Sequence, residues 1–262
     1  VTQAAGATLN VIGINVGNPL TLANAANDIS GTIKLEENAM IQAMHAGSLG
    51  SNTAARATIE MDANTRLRLL ENTTADFHAN LKTNGNALID VRSAIVANSG
   101  HILSLNNLDV AADAFLTTSG ANSFQLRFAG TTTLNGGATD TTKLDVGSQG
   151  LIFDGALTST AGVVEKFGTG QLIIRGTSSF AGELHMQAGD LVLRQNGTLT
   201  GLTKLVMKGG RLLSDNTEGV NTDRIPNAAA IDLYGGQIYN SNNETIGALM
   251  LHGFAGQIRE AA

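Results

Sequence analysis

Apolar and polar residues alternate in short runs along this chain, and glycines separate the runs. The pattern is clearest from Val163 to Arg194, VVEKFGTGQLIIRGTSSFAGELHMQAGDLVLR. There Leu172 with Ile174, Leu184 with Met186, and Leu191 with Leu193 each stand two positions apart. A period of two predicts strands with one buried face. Gly168, Gly170, Gly176, Gly182 and Gly189 fall between the runs. They mark corners, where φ can turn positive or two backbones approach closely. Two such runs cannot make a stable sheet alone, so copies must lie above and below.

The chain supplies the copies. Leu144 and Val146 lead through Gly150 to Leu151 and Phe153; Leu184 and Met186 lead through Gly189 to Leu191 and Leu193. Leu205 and Met207 lead through Gly209 and Gly210 to Leu212, and Ile231 and Leu233 lead through Gly235 and Gly236 to Ile238. In all four the first apolar position and the one after the corner are seven residues apart. Leu251, Gly253, Gly256 and Ile258 begin a fifth. The spacing of about 19 to 26 residues is that of a solenoid or array. The residue types are those of strands, which predicts an all-β fold: a β-solenoid with each repeat as one coil, about a dozen coils in all and roughly 60 Å long at ~4.8 Å per coil. It is expected to form one solenoid domain over residues 1–262, with the repeat clearest over 142–258.

Nearer the start the pattern is looser. Thr8 to Val16 reads as a first coil edge, and Ile29 to Leu35 resumes it around Gly31. Glu36 to His45 has some helical character but reads better as a polar corner and strand. Ala57 to Leu70 turns at Asp62-Ala63-Asn64, and Ala75 to Lys82 alternates with Ala75, Phe77, Ala79 and Leu81 on one face. Ala87 to Val96 and His101 to Val110 are separated by the turn signal Asn98-Ser99-Gly100. Phe124 to Phe128 and Thr131 to Leu134 follow. Ser214 to Asn227, polar and charged, is expected to leave the body as a loop excursion over 214–227.

Composition suits this fold. The chain of 262 residues is 42% hydrophobic and 15% charged, so its surface polarity rests on Asn, Thr, Ser, Gln and Gly. Stacked amides and hydroxyls can bond along the axis, whereas stacked like charges repel. Two prolines fit long ladders of backbone hydrogen bonds. With no Trp, two Tyr and eight Phe, stacking platforms for single-stranded nucleic acid or carbohydrate are few. A net charge of −6 without any basic run argues against a nucleic-acid partner. No cysteine is present, so disulfides do not stabilise the chain, and no apolar run is long enough for a membrane helix. The chain starts at Val1 with no readable signal peptide, as a processed product or an excised segment would.

Lys166 to Leu193 resembles the passenger-associated transport repeat of bacterial autotransporters. Lys166, Gly168, Gly170, Leu172, Ile174 and Gly176 match its Lys-x-Gly-x-Gly opening and first strand. Phe180 and Gly182 stand at its aromatic and glycine, and Ala188, Gly189 and Leu191 close it. Ser178 replaces the usual Asn, and Glu183 and Leu184 replace the usual Gly and Thr. Glu244 to Leu251, ETIGALML, is similar to a segment repeated downstream in that family. The resemblance implies a right-handed parallel β-helix exported by the type V route and displayed or released at the cell surface. It transfers no catalytic residue.

Chemistry is sparse. Asp145, Glu165 and Glu183 are spaced near one coil and are the candidates for an aligned carboxylate cluster of the kind a glycosidase needs, though a solvated acidic strip is the better reading. His45, His78, His101, His185 and His252 include no pair at metal-ligand spacing, and His185 reads as an outward strand residue. Neither a Gly-x-Ser-x-Gly elbow nor a calcium-binding nonapeptide occurs. Asp215 and Glu218 could hold an ion, but a solvated loop accounts for them. No catalytic, cofactor-binding or metal site is expected, and no enzyme.

The expectation is therefore an extracellular, cell-surface structural or adhesive solenoid of a bacterium. Its partners would be surface or matrix components, or itself, since no polar cap is evident towards Ala262 and end-to-end assembly would give a filament. The alternatives are a polysaccharide-degrading enzyme on the same fold and a trimeric phage tail-fibre or tailspike segment.

Overall fold

The computed structural model describes residues 2–13, 17–50, 55–95, 98–147, 150–240, 244–253 and 256–260. Val16, Val96 and Ala262 lie outside the described residues. The chain winds as a parallel β-solenoid of about 10 turns, and its only helix among the described residues is the short 3₁₀ turn Ala46–Leu49. Glu37 and Asn38 form a left-handed corner before the strand Met40–Ala43, as the corner-and-strand reading of that segment expects.

Three parallel sheets form the faces. One has eleven strands, from Leu20–Leu22 to Leu249–Leu251; one has nine, from Ala75–Asp76 to Gly256–Glu260; one has eight, from Thr8–Ile12 to Ser178–Phe180. A two-stranded pairing of Thr2–Gln3 with Asp28–Ile29 completes the set. With eleven strands in the longest sheet, the body is about 50 Å long at ~4.8 Å per step.

The glycine-cornered unit seen in the sequence is the passage from the eleven-strand face to the nine-strand face. Its stacking is in register: Leu184 lies on Leu205 and then on Ile231, while Leu191 lies on Leu212 and then on Ile238. The corner accepts no side chain. Gly210 has φ +78, and a Cβ there would stand 1.9 Å from the Gly189 carbonyl oxygen of the preceding turn. The eight-strand face shortens along the chain, from five-residue strands such as Ala57–Met61 to three-residue ones such as Leu157–Ser159 and Ser178–Phe180. These three-residue strands are too brief to show a period of two.

One hydrophobic cluster runs along the axis from Val11 to Ile238. Turn length is not constant. Arg68 meets Asp90 22 positions on, and Asp90 meets Ser119 29 positions on, whereas Asp190 meets Arg211 after 21. The longer turns fall where the repeat is loosest in sequence. Ala75 to Lys82 is not one strand: His78, with φ 52, bends the chain between Ala75–Asp76 on the nine-strand face and Ala79–Thr83 on the eight-strand face. Phe77, Ala79 and Leu81 are still buried, because the inward side continues around the corner.

Inside the corner at residue 166 the pattern breaks. Lys166 is stacked between Leu144 and Met186, in an inward column, and is fully buried. Its ammonium donates to the carbonyl oxygens of Phe167 (3.2 Å), Gly168 (3.1 Å) and Ala188 (2.9 Å). Burial pulls its pKa down to about 8, against the opposing pull of Asp190 and Asp145.

Candidate functional surfaces

On the nine-strand face an apolar column points outward yet is sealed. Ile152, Ile173 and Val192 stack in register and are buried, with Leu213 partly so. Long polar side chains flank them. On one side Arg211 clasps Asp190 through Nε at 2.8 Å and Nη2 at 2.5 Å. On the other, Asp154 takes Arg127 (3.4 Å) and Arg175 (3.3 Å), and Asp215 takes Arg194 (2.6 Å). The aliphatic stems of such residues cover apolar surface while their charged ends reach water.

The segment after this face is tied down from within. Arg224 is fully buried and donates to the carbonyl oxygens of Gly197 (2.7 Å), Asp215 (3.2 Å) and Gly219 (3.1 Å), and to Asn216 Oδ1. Ile225 enters the core, and its amide donates to Glu244 Oε1 at 2.6 Å. Asp215 and Glu218 are engaged rather than poised for an ion. Burial would raise the Asp215 carboxyl, but hydrogen bonds from Thr217 and Arg194 hold it below its ordinary value. Glu218 accepts from Gln195 at 3.1 Å.

The three sequence-marked carboxylates do not form one column. Asp145 stands opposite Phe167, Glu165 between Lys143 and His185, and Glu183 between Val163 and Lys204. Unequal turn lengths shift their register, so near-equal sequence spacing misleads here. Glu165 and Glu183 instead meet at His185, whose Nε2 lies 2.8 Å from Glu183 and whose Nδ1 lies 3.9 Å from Glu165. His185 does point outward, half-buried. The other histidines are scattered: His45 near Glu71, His78 beside Asp76, His101 edge-on to Phe124, and His252 stacked on Tyr234 at 3.9 Å. Among the described residues no three His, Asp or Glu side chains are grouped to hold a metal ion.

The same eleven-strand face carries a feature that the sequence reading missed. Asn38, Asn64, Asn86, Phe115, Lys143, Glu165 and His185 occupy one outward column, each a turn beyond the last, as the pairings of their neighbours fix. Where the asparagines give way to Phe115, a depression of about 500 Å³ opens, with Arg66, Leu88 and Thr117 along its side. Only the solved register brings these residues together.

Among the described residues, Leu249–Leu251 and Gly256–Glu260 are the last strands of their sheets, each paired along one edge. Leu249 and Leu251 continue the inward columns of Ile231 and Leu233. Leu251 is 59% exposed and Ile258 50%, whereas Val11 and Leu22 at the opposite end are buried. Among the described residues no helix is long and apolar enough to cross a membrane. No protein-family profile, curated protein or solved structure matches this chain.

Proposed function

We propose that this chain is an extracellular bacterial β-solenoid of autotransporter-passenger type, acting as a structural or adhesive element. The observation that carries the reading is the placement of the passenger-like segment. Lys166 to Leu193 spans the eleven-strand face, the corner, the nine-strand face and the eight-strand face in register with the turns around it. The glycines of that segment stand where a side chain would strike the preceding turn, and its lysine is the buried one. The edge at Leu249–Leu251 is suited to a further parallel turn, which a second copy would supply in a filament.

Light scattering with negative-stain imaging tests this. Rods about 50 Å long at monomer mass, or fibres that grow with concentration and are abolished by Leu251→Lys, support the reading. An intertwined trimer would favour a tail-fibre segment, and release of reducing ends from a polysaccharide would favour an enzyme; either overturns it.

A further inference from the structure

We propose that the depression beside Phe115 is a binding site for a linear glycan bearing carboxylated sugars. This goes beyond a general adhesive role by assigning a ligand class to one place on the eleven-strand face, away from the Leu249–Leu251 edge.

Two independent observations carry it. The first is Arg66. Among the described residues, it is the one arginine whose side chain has neither an ion pair nor a hydrogen bond; the others are held by Asp76, Asp90, Asp154, Asp190, Asp215, Asn216 or Gln257. It lies half-buried in the wall of the depression, whose lining contains no carboxylate. A guanidinium without a partner in such a wall is placed to donate two parallel hydrogen bonds to one carboxylate.

The second is the asparagine column. Asn38, Asn64 and Asn86 are exposed on successive turns, about 4.8 Å apart, and their carboxamides make no hydrogen bond to described residues. Backbone geometry explains part of this, since Asn38 (φ 65) and Asn64 (φ 63) sit in the left-handed region that asparagine tolerates. Asn86 has no such need. Each amide offers two donors and an acceptor, which suits the paired hydroxyls of a sugar ring. Phe115 is fixed edge-on against Phe167 with ring centroids 6.0 Å apart, and it supplies an apolar wall for the C–H face of a ring.

The same geometry disfavours other linear anions. The depression lies over the middle of a fully paired sheet, so no backbone edge is free to dock a peptide strand. One arginine can pair with one carboxylate while the amides and Phe115 hold the rings, whereas nucleic-acid binding rests on contacts to many phosphates.

The test is titration of the intact chain with hexagalacturonate, maltohexaose and hexaglutamate, followed by calorimetry and by ¹⁵N chemical shifts. We expect hexagalacturonate to bind at least tenfold tighter than the other two, with shifts centred on Asn86 and Phe115. Arg66→Gln should weaken it at least tenfold and Asn86→Ala about threefold, with melting temperatures unchanged. If Arg66→Gln fails to fold, the comparison of the three ligands on the unaltered chain still decides. Absence of hexagalacturonate binding, equal binding of hexaglutamate or maltohexaose, or shifts elsewhere would overturn the proposal. Those results leave the assembly behaviour of the Leu249–Leu251 edge unaffected, so this inference and the broader function fail separately.

Discussion

The ammonium of Lys166 donates to the carbonyl oxygen of Ala188, one turn further along the solenoid, at 2.9 Å. With its bonds to Phe167 and Gly168, this ties two successive corners together from inside the core. A lysine in an otherwise apolar column carries a desolvation penalty, which the three carbonyl oxygens reduce without cancelling.

This has a signed consequence for pH. The folded-state pKa of Lys166 is about 8, below its ordinary 10.5. Below pH 8 both folded and unfolded chains hold the proton, and the penalty for the buried charge is fully present. Between pH 8 and 10.5 the folded chain releases the proton first, so stability contributed by this group rises with pH. The full change corresponds to about 3 kcal/mol. Lys166→Met, flanked by Leu144 and Met186, should lack this dependence. Urea unfolding of both proteins across that pH range checks it. A constant difference between them would refute the assignment.

Arg224 should be the least replaceable residue of the segment between the last long strands. Arg224→Met leaves the carbonyl oxygens of Gly197, Asp215 and Gly219 without their donor, at a cost of about 2–4 kcal/mol. Limited proteolysis should then cut between residues 215 and 223, where the unaltered chain should resist. Equal cleavage rates would show that Arg224 does not hold the segment.

The glycine corner predicts a sharp contrast. Gly210→Ala combines a positive φ with a Cβ placed 1.9 Å from backbone, and should destabilise by about 3 kcal/mol. Gly137→Ala meets nothing nearer than 3.6 Å and has no positive φ, so it should stay within about 0.5 kcal/mol of the parent. Thermal melts of the two variants make the comparison.

The parallel solenoid was readable because turns of nearly equal length repeat the same inward pairs, Leu184 with Met186 and Leu205 with Met207, around glycines where a side chain would crowd the preceding turn. The loss of clarity before residue 140 also has a physical cause. The interval from Asp90 to Ser119 is 29 residues against 21 from Asp190 to Arg211, so the same columns recur without a fixed period. The three-residue strands of the eight-strand face escape notice for want of length. Surface grouping was the least readable. Asp145, Glu165 and Glu183 look alignable by spacing and are not, whereas Arg66 and Asn86 look ordinary and become neighbours only through register. Lys166 was legible as part of a motif, but not as a buried group, because its column follows from pairing with Leu144 and Met186.

The stacking of parallel turns gives the solenoid a direction of mechanical weakness. Backbone bonds between turns lie along the solenoid axis, so tension applied along that axis loads the turns one after another. The chain should pay out like thread from a spool, one turn at a time and at low force. Single-molecule pulling should show regular steps of about 70 Å, the extended length of roughly 20 residues. One abrupt event releasing the whole length would show that the turns yield together.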